Sequence, residues 1–128
     1  MKNLFFFSVS IILISLFIIA CGGSPSTPED TAKKFLSLVE QGDNSALDLM
    51  APEMTQLLGK EKLEKAIEEK SKEINEKGGI KSIEFTDKDI KDNEATMKVT
   101  TNFGNGKSET EKMKMINKDG KWLITVSK

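Results

Sequence analysis

The spacing of apolar residues divides the chain into three stretches with different periods. A largely apolar run from Leu4 to Ala20 contains no charged residue. From Thr27 to Gly79 the apolar residues recur at three- and four-residue intervals, which predicts amphipathic helices. From Ile80 onward apolar and polar residues alternate, which predicts strands with one buried face. Helices followed by strands predict an α+β domain behind an apolar leader.

The first helix is predicted to begin at Thr27 and to end at Gly42. Thr27 can cap the helix through its hydroxyl, and Pro28 suits the first helical position. Glycine is the residue that most often ends a helix in the left-handed conformation. The predicted apolar stripe consists of Ala32, Phe35, Leu36 and Val39.

Two further helices are predicted before the strands begin. Asp43 can cap a short helix that runs to Met50, and Pro52 either ends that helix or begins the next turn. The run KEKLEKAIEEKSKEINEKGG predicts a charged third helix that ends at Gly78 and Gly79. Its narrow apolar face consists of Leu63, Ala66, Ile67 and Ile74.

The second half of the domain predicts a four-stranded antiparallel meander. FGNGK and NKDGKW are hairpin signals, because Gly, Asn and Asp tolerate positive φ, and Asp92-Asn93 marks a third turn. The third strand is predicted over Thr110 to Asn117. The inward positions of the four strands are Ile83 and Phe85; Ala95, Met97, Val99, Thr101 and Phe103; Met113 and Met115; and Trp122, Ile124 and Val126. The opposite face is polar and is expected to face water.

The leader ends at Cys21, which is the only cysteine of the chain. The apolar run suits either a signal peptide or a short membrane anchor, so its length alone does not decide between them. The segment Ile18-Ile19-Ala20-Cys21 resembles the lipobox of bacterial lipoproteins. That resemblance implies cleavage between Ala20 and Cys21, a diacylglycerol on the Cys21 thiol and acylation of the new amino group.

The lipobox resemblance divides the chain into a signal peptide at 1–20, a lipidated tether at 21–26 and one α+β domain at 27–128. The five tether residues after Cys21 reach at most about 20 Å, which keeps the domain near the membrane. By the same resemblance, Gly22 and Gly23 in place of an aspartate imply the outer membrane if the bacterium is Gram-negative. The alternative is an uncleaved anchor with an incidental cysteine.

Composition excludes several classes of function. Lys and Arg together number 19 against 20 Asp and Glu, and every basic residue is lysine. A weakly acidic chain without arginine does not fit a nucleic-acid binder. The chain has no His, which is both the commonest general base and the commonest metal ligand. It also has no Tyr, whose phenol serves as a proton donor in many small active sites.

Two segments of the domain, TPEDTAKKFLSLVEQGDNSALDLM and KMINKDGKWLITV, resemble a group of small bacterial lipoproteins classified as a domain of unknown function. The resemblance implies a fold similar to nuclear transport factor 2 and to cystatin, in which a curved antiparallel sheet surrounds a long helix. A cone-shaped pocket often lies between the sheet and the helices of that fold. Isomerases, dehydratases and pure binding modules share the scaffold, so the fold alone does not establish a function.

Three sets of residues are candidates for chemistry. The first could line an adaptable apolar pocket or fill an ordinary core, and it consists of Phe85, Met97, Phe103, Met113, Met115 and Trp122. Asp48 or Asp87 could serve as an acidic base if either points inward. The acidic segment with Asp87, Asp89, Asp92 and Glu94 departs from the spacing of a calcium loop, and Lys88 and Lys91 would repel a cation. No metal site and no cofactor are therefore expected.

The sequence thus predicts a lipoprotein of the bacterial cell envelope that acts as a non-catalytic binding or interaction module. Its expected partners are the membrane, through the lipid on Cys21, and either a small apolar ligand or an envelope protein. The alternative is an enzyme of the isomerase or dehydratase type with an acidic base in an apolar pocket. An Asp inside an enclosed pocket would favour the enzyme, whereas a filled interior would favour protein contacts.

Overall fold

The computed structural model describes residues 27–126, which form helices followed by a four-stranded antiparallel sheet. The helical elements are α1 (Pro28–Glu40), a 3-10 helix (Asn44–Leu49), α2 (Pro52–Leu58) and α3 (Lys60–Glu76). The strands are β1 (Ile80–Lys91), β2 (Glu94–Phe103), β3 (Ser108–Lys118) and β4 (Lys121–Thr125). The predicted α+β class is confirmed. The predictions for the leader, for Ala20 and Cys21 and for the tether lie outside the described residues.

Local signals at the ends of α1 act as the sequence predicts. The Thr27 hydroxyl accepts a hydrogen bond from the Asp30 amide at 3.1 Å, and Pro28 occupies the first turn. Gly42 has a φ of 69°, so the chain leaves the helix in the left-handed region that glycine favours. The short helix predicted after Asp43 is present as a 3-10 helix, and the Asp43 carboxylate caps it by accepting from the Ser45 amide at 2.9 Å. Pro52 begins α2.

The sheet is a meander in the order β1-β2-β3-β4, and its inner face carries the apolar residues of the alternating pattern. α1 crosses this face between two anchor points. Near its start, the buried Thr31 hydroxyl donates to the Trp122 carbonyl oxygen of β4 at 3.3 Å. At its end, the Glu40 carboxylate accepts from the Ile80 amide of β1 at 2.9 Å. The helix therefore ties together the two edge strands of the sheet.

Two predicted inward positions are wrong. Val126 is 44% exposed, because β4 ends at Thr125, its last residue paired with β3. Ala66 is exposed, because the buried stripe of α3 runs along Leu63, Ile67 and Ile74.

A close backbone contact fixes the end of α3 against the β2–β3 turn. The Gly104 amide donates to the Gly79 carbonyl oxygen at 3.0 Å, and the Asn105 amide donates to the Lys77 carbonyl oxygen at 2.9 Å. A Cβ atom on Gly104 would lie 2.4 Å from the Gly78 carbonyl oxygen. Only glycine fits there without moving the backbone, and the contact sets where Lys77 meets the sheet.

We expect Gly104→Ala to lower the free energy of unfolding by about 2 kcal/mol, because the added methyl group separates this contact. Urea denaturation followed by Trp122 fluorescence measures the change. Gly106→Asn is the matched control, since a Cβ there meets nothing within 4 Å and Asn tolerates the positive φ. Equal losses in the two variants would contradict the account.

Candidate functional site

The residues predicted to line an apolar pocket fill the space between α1 and the sheet. Met97, Met113, Met115 and Trp122 belong to one buried cluster with Ala32 of α1, and the half-buried Phe85 packs against it. Phe103 belongs to a second cluster, which includes Val39, Ile67 and Ile74. The six residues therefore lie in two neighbouring parts of the core.

An apolar groove of about 320 Å³ lies beside this core, between α1 and α3. α1 contributes Phe35, Leu36 and Val39 to its wall. α3 contributes Leu63, Ala66 and Ile67, and Met50 comes from the segment between the 3-10 helix and α2. We call this space the α1–α3 groove. None of the six predicted pocket residues lines it.

Two charged residues, Lys70 of α3 and Glu111 of β3, also line the α1–α3 groove. Glu111 reaches it because side chains on a strand alternate between faces. Met113 and Met115 point into the core, so Glu109 and Glu111 lie on the same inner face of the sheet. The groove thus combines apolar walls with one carboxylate and one ammonium group.

An ion network attaches α3 to β3 at one side of the groove. The Lys70 ammonium group lies 3.0 Å from a Glu109 carboxylate oxygen and 3.3 Å from a Glu73 oxygen. Lys77 pairs with the same two carboxylates. Hydrogen bonds from Lys77 and then Lys70 hold the pKa of Glu109 at about 2. The Lys77 ammonium group also lies 4.9 Å from the centre of the Phe103 ring, so the network joins the core.

The two aspartates considered as bases both lie at the surface. Asp48 is an exposed residue of the 3-10 helix. Asp87 is exposed at an irregularity of β1, with a φ of 51°, and its carboxylate lies 2.9 Å from the Lys98 ammonium group. Neither aspartate lines the α1–α3 groove.

The acidic segment carries lysine partners. The Asp89 carboxylate lies 3.5 Å from the Lys91 ammonium group, and that of Glu94 lies 3.9 Å from Lys114. Within residues 27–126, no cluster of three or more potential ligand residues could hold a metal ion. No helix in the same part of the chain is long and apolar enough to cross a membrane.

Sequence reasoning did not single out Lys70 or Glu111. The position of Glu111 could have been predicted from the sequence. Met113 and Met115 define the inner face of the third strand, and Glu111 lies an even number of residues before them, so it is on the same face. The contact of Lys70 could not have been predicted, because its partner Glu109 lies 39 residues further along the chain. Only the packing of α3 against β3 brings the two side chains together.

Comparisons with known proteins identify the fold and a family without an assigned activity. A family described as "Domain of unknown function (DUF4878)" matches residues 19–125. A Campylobacter jejuni crystal structure named "Putative NTF2-like transpeptidase" is 25% identical, with a TM-score of 0.72, and the match covers 80% of this chain and 100% of that one. A SEC-C motif containing protein from Rhodopseudomonas palustris is 14% identical, with a TM-score of 0.59, covering 81% of this chain and 79% of its own. No curated protein sequence matches the chain. The fold similar to nuclear transport factor 2, implied by the sequence resemblance, is thereby confirmed.

We expect Glu109→Gln to lower the free energy of unfolding at neutral pH by about 1 kcal/mol. The Glu109 side chain is 35% exposed, so solvent screening reduces the full effect of its lowered pKa. The stabilisation is complete above the ordinary carboxyl pKa of 4.5 and is lost as the pH falls towards 2. Urea unfolding of wild type and variant across this range measures it.

Glu111→Gln is the control for this measurement, because the same substitution is made two residues along the same face of β3. In residues 27–126 no ammonium group lies within 4.0 Å of Glu111. Its loss of stability at pH 7 should be smaller than that of Glu109→Gln. A loss in Glu109→Gln no larger than that in Glu111→Gln at pH 7 would contradict the assignment of the network.

Proposed function

We propose that this chain, which belongs to the family described as "Domain of unknown function (DUF4878)", is a lipid-anchored protein of the bacterial cell envelope. In this proposal the folded domain is a non-catalytic binding module, and the α1–α3 groove is its binding site. The observation that carries the binding role is the apolar groove itself, which lies beside the buried core.

The anchoring part of the proposal rests on the sequence around Cys21. A small residue, Ala20, precedes the single cysteine, and an uncharged apolar run precedes both. The family match begins at residue 19, so Ala20 and Cys21 lie within the region that the family shares. Several acyl chains on one residue anchor a protein stably, whereas a single chain is marginal. The short segment from Gly22 to Ser26 would then hold the domain close to the bilayer.

The binding part of the proposal rests on the size and the lining of the groove. Its volume of about 320 Å³ falls within the range of small-molecule sites, although at the lower end. Most of its lining residues are apolar, with Lys70 and Glu111 as the charged exceptions. Ligand sites commonly have this composition, in which apolar walls supply affinity and a few polar groups set orientation.

The non-catalytic part of the proposal rests on which groups the groove lacks. The similar Campylobacter jejuni structure bears the name of a transpeptidase, and acyl transfer requires an activated nucleophile next to a base. Among the described residues, those that line the groove include no Ser, Thr or Cys, and the Lys70 amine is held as an ammonium group by Glu73 and Glu109. An enzyme of the isomerase or dehydratase type would have to rely on Glu111 as its base, because Asp48 and Asp87 lie elsewhere. A binding module requires no further group.

Substitution of Cys21 tests the anchor. We expect Cys21→Ser to abolish incorporation of an alkyne-labelled fatty acid in the native bacterium, because the thiol is the acylation site. Gel fluorescence after click labelling measures incorporation. Ser24→Ala, three residues away, should label like the wild type. Label retained by Cys21→Ser would refute anchoring at this residue.

A neutral probe tests the groove. We expect 3-phenylpropan-1-ol to shift the methyl resonance of Met50 in full-length protein that carries ¹³C-methyl methionine and is reconstituted in nanodiscs. Met50 lines the groove, whereas Met97 and Met115 are buried in the core and serve as internal controls. In Ala66→Phe the new ring occupies the groove, so the shift should disappear. A wild-type Met50 resonance that stays unchanged at saturating probe would refute the binding site.

A further inference from the structure

The two charged residues of the α1–α3 groove differ in what surrounds them. The Lys70 ammonium group donates hydrogen bonds to Glu109 at 3.0 Å and to Glu73 at 3.3 Å. Lys77 joins the same network, which therefore contains two lysines and two glutamates and has no net charge. An anionic ligand would have to compete with two carboxylates for Lys70.

Glu111 is the uncompensated charge of the groove. Its side chain is exposed, and no ammonium group of residues 27–126 lies within ion-pair distance of it. Its partner residue across the sheet, Val99, is apolar and buried. Glu109, the other carboxylate on this part of the inner face, is already paired with two lysines. When Lys70 is counted together with its network of Lys77, Glu73 and Glu109, that network is neutral and the charge of Glu111 is left over.

The apolar part of the groove sets the size of the group that it can hold. An engineered cavity of about 150 Å³ holds one benzene molecule, so about 320 Å³ can hold a phenyl ring together with a short alkyl chain. Phe35 of α1 and Ile67 of α3 supply apolar surface from the two helices. α1 and α3 form two sides of the groove, and the Glu111 carboxylate, which comes from β3, lies at a third side.

We propose that the α1–α3 groove selects a small amphiphile with a positively charged head, in which the apolar group lies between α1 and α3 and an ammonium group binds Glu111. This inference rests on the proposed binding role of the groove and adds the chemical class of the ligand. A charge-assisted hydrogen bond to a carboxylate is stronger than a neutral one, although solvent weakens it at an exposed site.

Three probes that share one apolar group test the inference: 3-phenylpropylammonium, 3-phenylpropan-1-ol and 3-phenylpropanoate. Each is titrated into full-length protein with ¹³C-methyl methionine in nanodiscs of zwitterionic lipid, and the Met50 methyl shift gives its dissociation constant. We expect the ammonium probe to bind about fivefold to tenfold more tightly than the alcohol, and the carboxylate probe to bind most weakly. The preference should shrink in 1 M salt, as expected for about a 3 Å screening length.

Two variants with the same change of charge locate the effect. Glu111→Gln should bring the dissociation constant of the ammonium probe to that of the alcohol and leave the alcohol unchanged. Glu84→Gln is the matched control. Glu84 is an exposed glutamate of β1, it lies on the face of the sheet opposite to Phe85, and it does not line the groove. It should retain the full preference for the ammonium probe.

The outcomes distinguish this inference from the proposed function. Equal binding of the ammonium and the alcohol would overturn the inference while the groove still binds apolar groups. Tighter binding of the carboxylate probe would also overturn it, because Lys70 would then be the recognition group. A preference that persists in Glu111→Gln would show that another group binds the ammonium. Failure of all three probes to shift Met50 would refute the binding site as well.

Discussion

Packing of α1 against the inner face of the sheet organises the other elements of the domain. Ala32 and Thr31 are completely buried there, so the helix backbone lies close to the strands. Thr31 fixes the start of α1 to β4, and Glu40 fixes its end to β1. Burial of Met97, Met115 and Trp122 against this helix removes apolar surface from water, which is the main favourable term in folding.

A helix against a sheet still exposes its other side, and α3 covers only part of that side of α1. Ile67 and Ile74 pack into the second core cluster, while Lys70 and Lys77 pair with Glu109 of β3. One attachment is apolar and the other is the ion network. The space left between α1 and α3 beside them is the α1–α3 groove. Its apolar walls are a consequence of the same amphipathic stripes that build the core. Its charge comes from strand alternation, which places Glu111 on the inner face.

The sequence was sufficient to predict the class of fold, because the helical period of its first half and the alternating period of its second half identify most of the elements. The change of period at Ile80 separated helices from strands, and the hairpin signals FGNGK and NKDGKW set the order of β2, β3 and β4. Capping signals do not determine the type of helix, because the same capping residue can begin either type. Asp43 can cap an α-helix or a 3-10 helix, and the structure forms the latter.

The site was less predictable, because periodicity identifies an inner face but not what covers it. Met97, Phe103 and Trp122 were candidates for a pocket, and all three are covered by α1 or α3. Glu111 was readable from the parity of β3, whereas the engagement of Lys70 by Glu109 depends on a contact between distant segments. Ala66 shows the same limit, because its apolar character did not reveal that it faces an open groove.

A crystal structure of the protein with 3-phenylpropylammonium tests whether the α1–α3 groove is a binding site whose charge is set by Glu111. We expect the phenyl ring between Phe35 and Ile67 and the ammonium nitrogen about 3 Å from a Glu111 carboxylate oxygen. A probe bound elsewhere, or one bound in the groove with its nitrogen directed away from Glu111, would contradict the account.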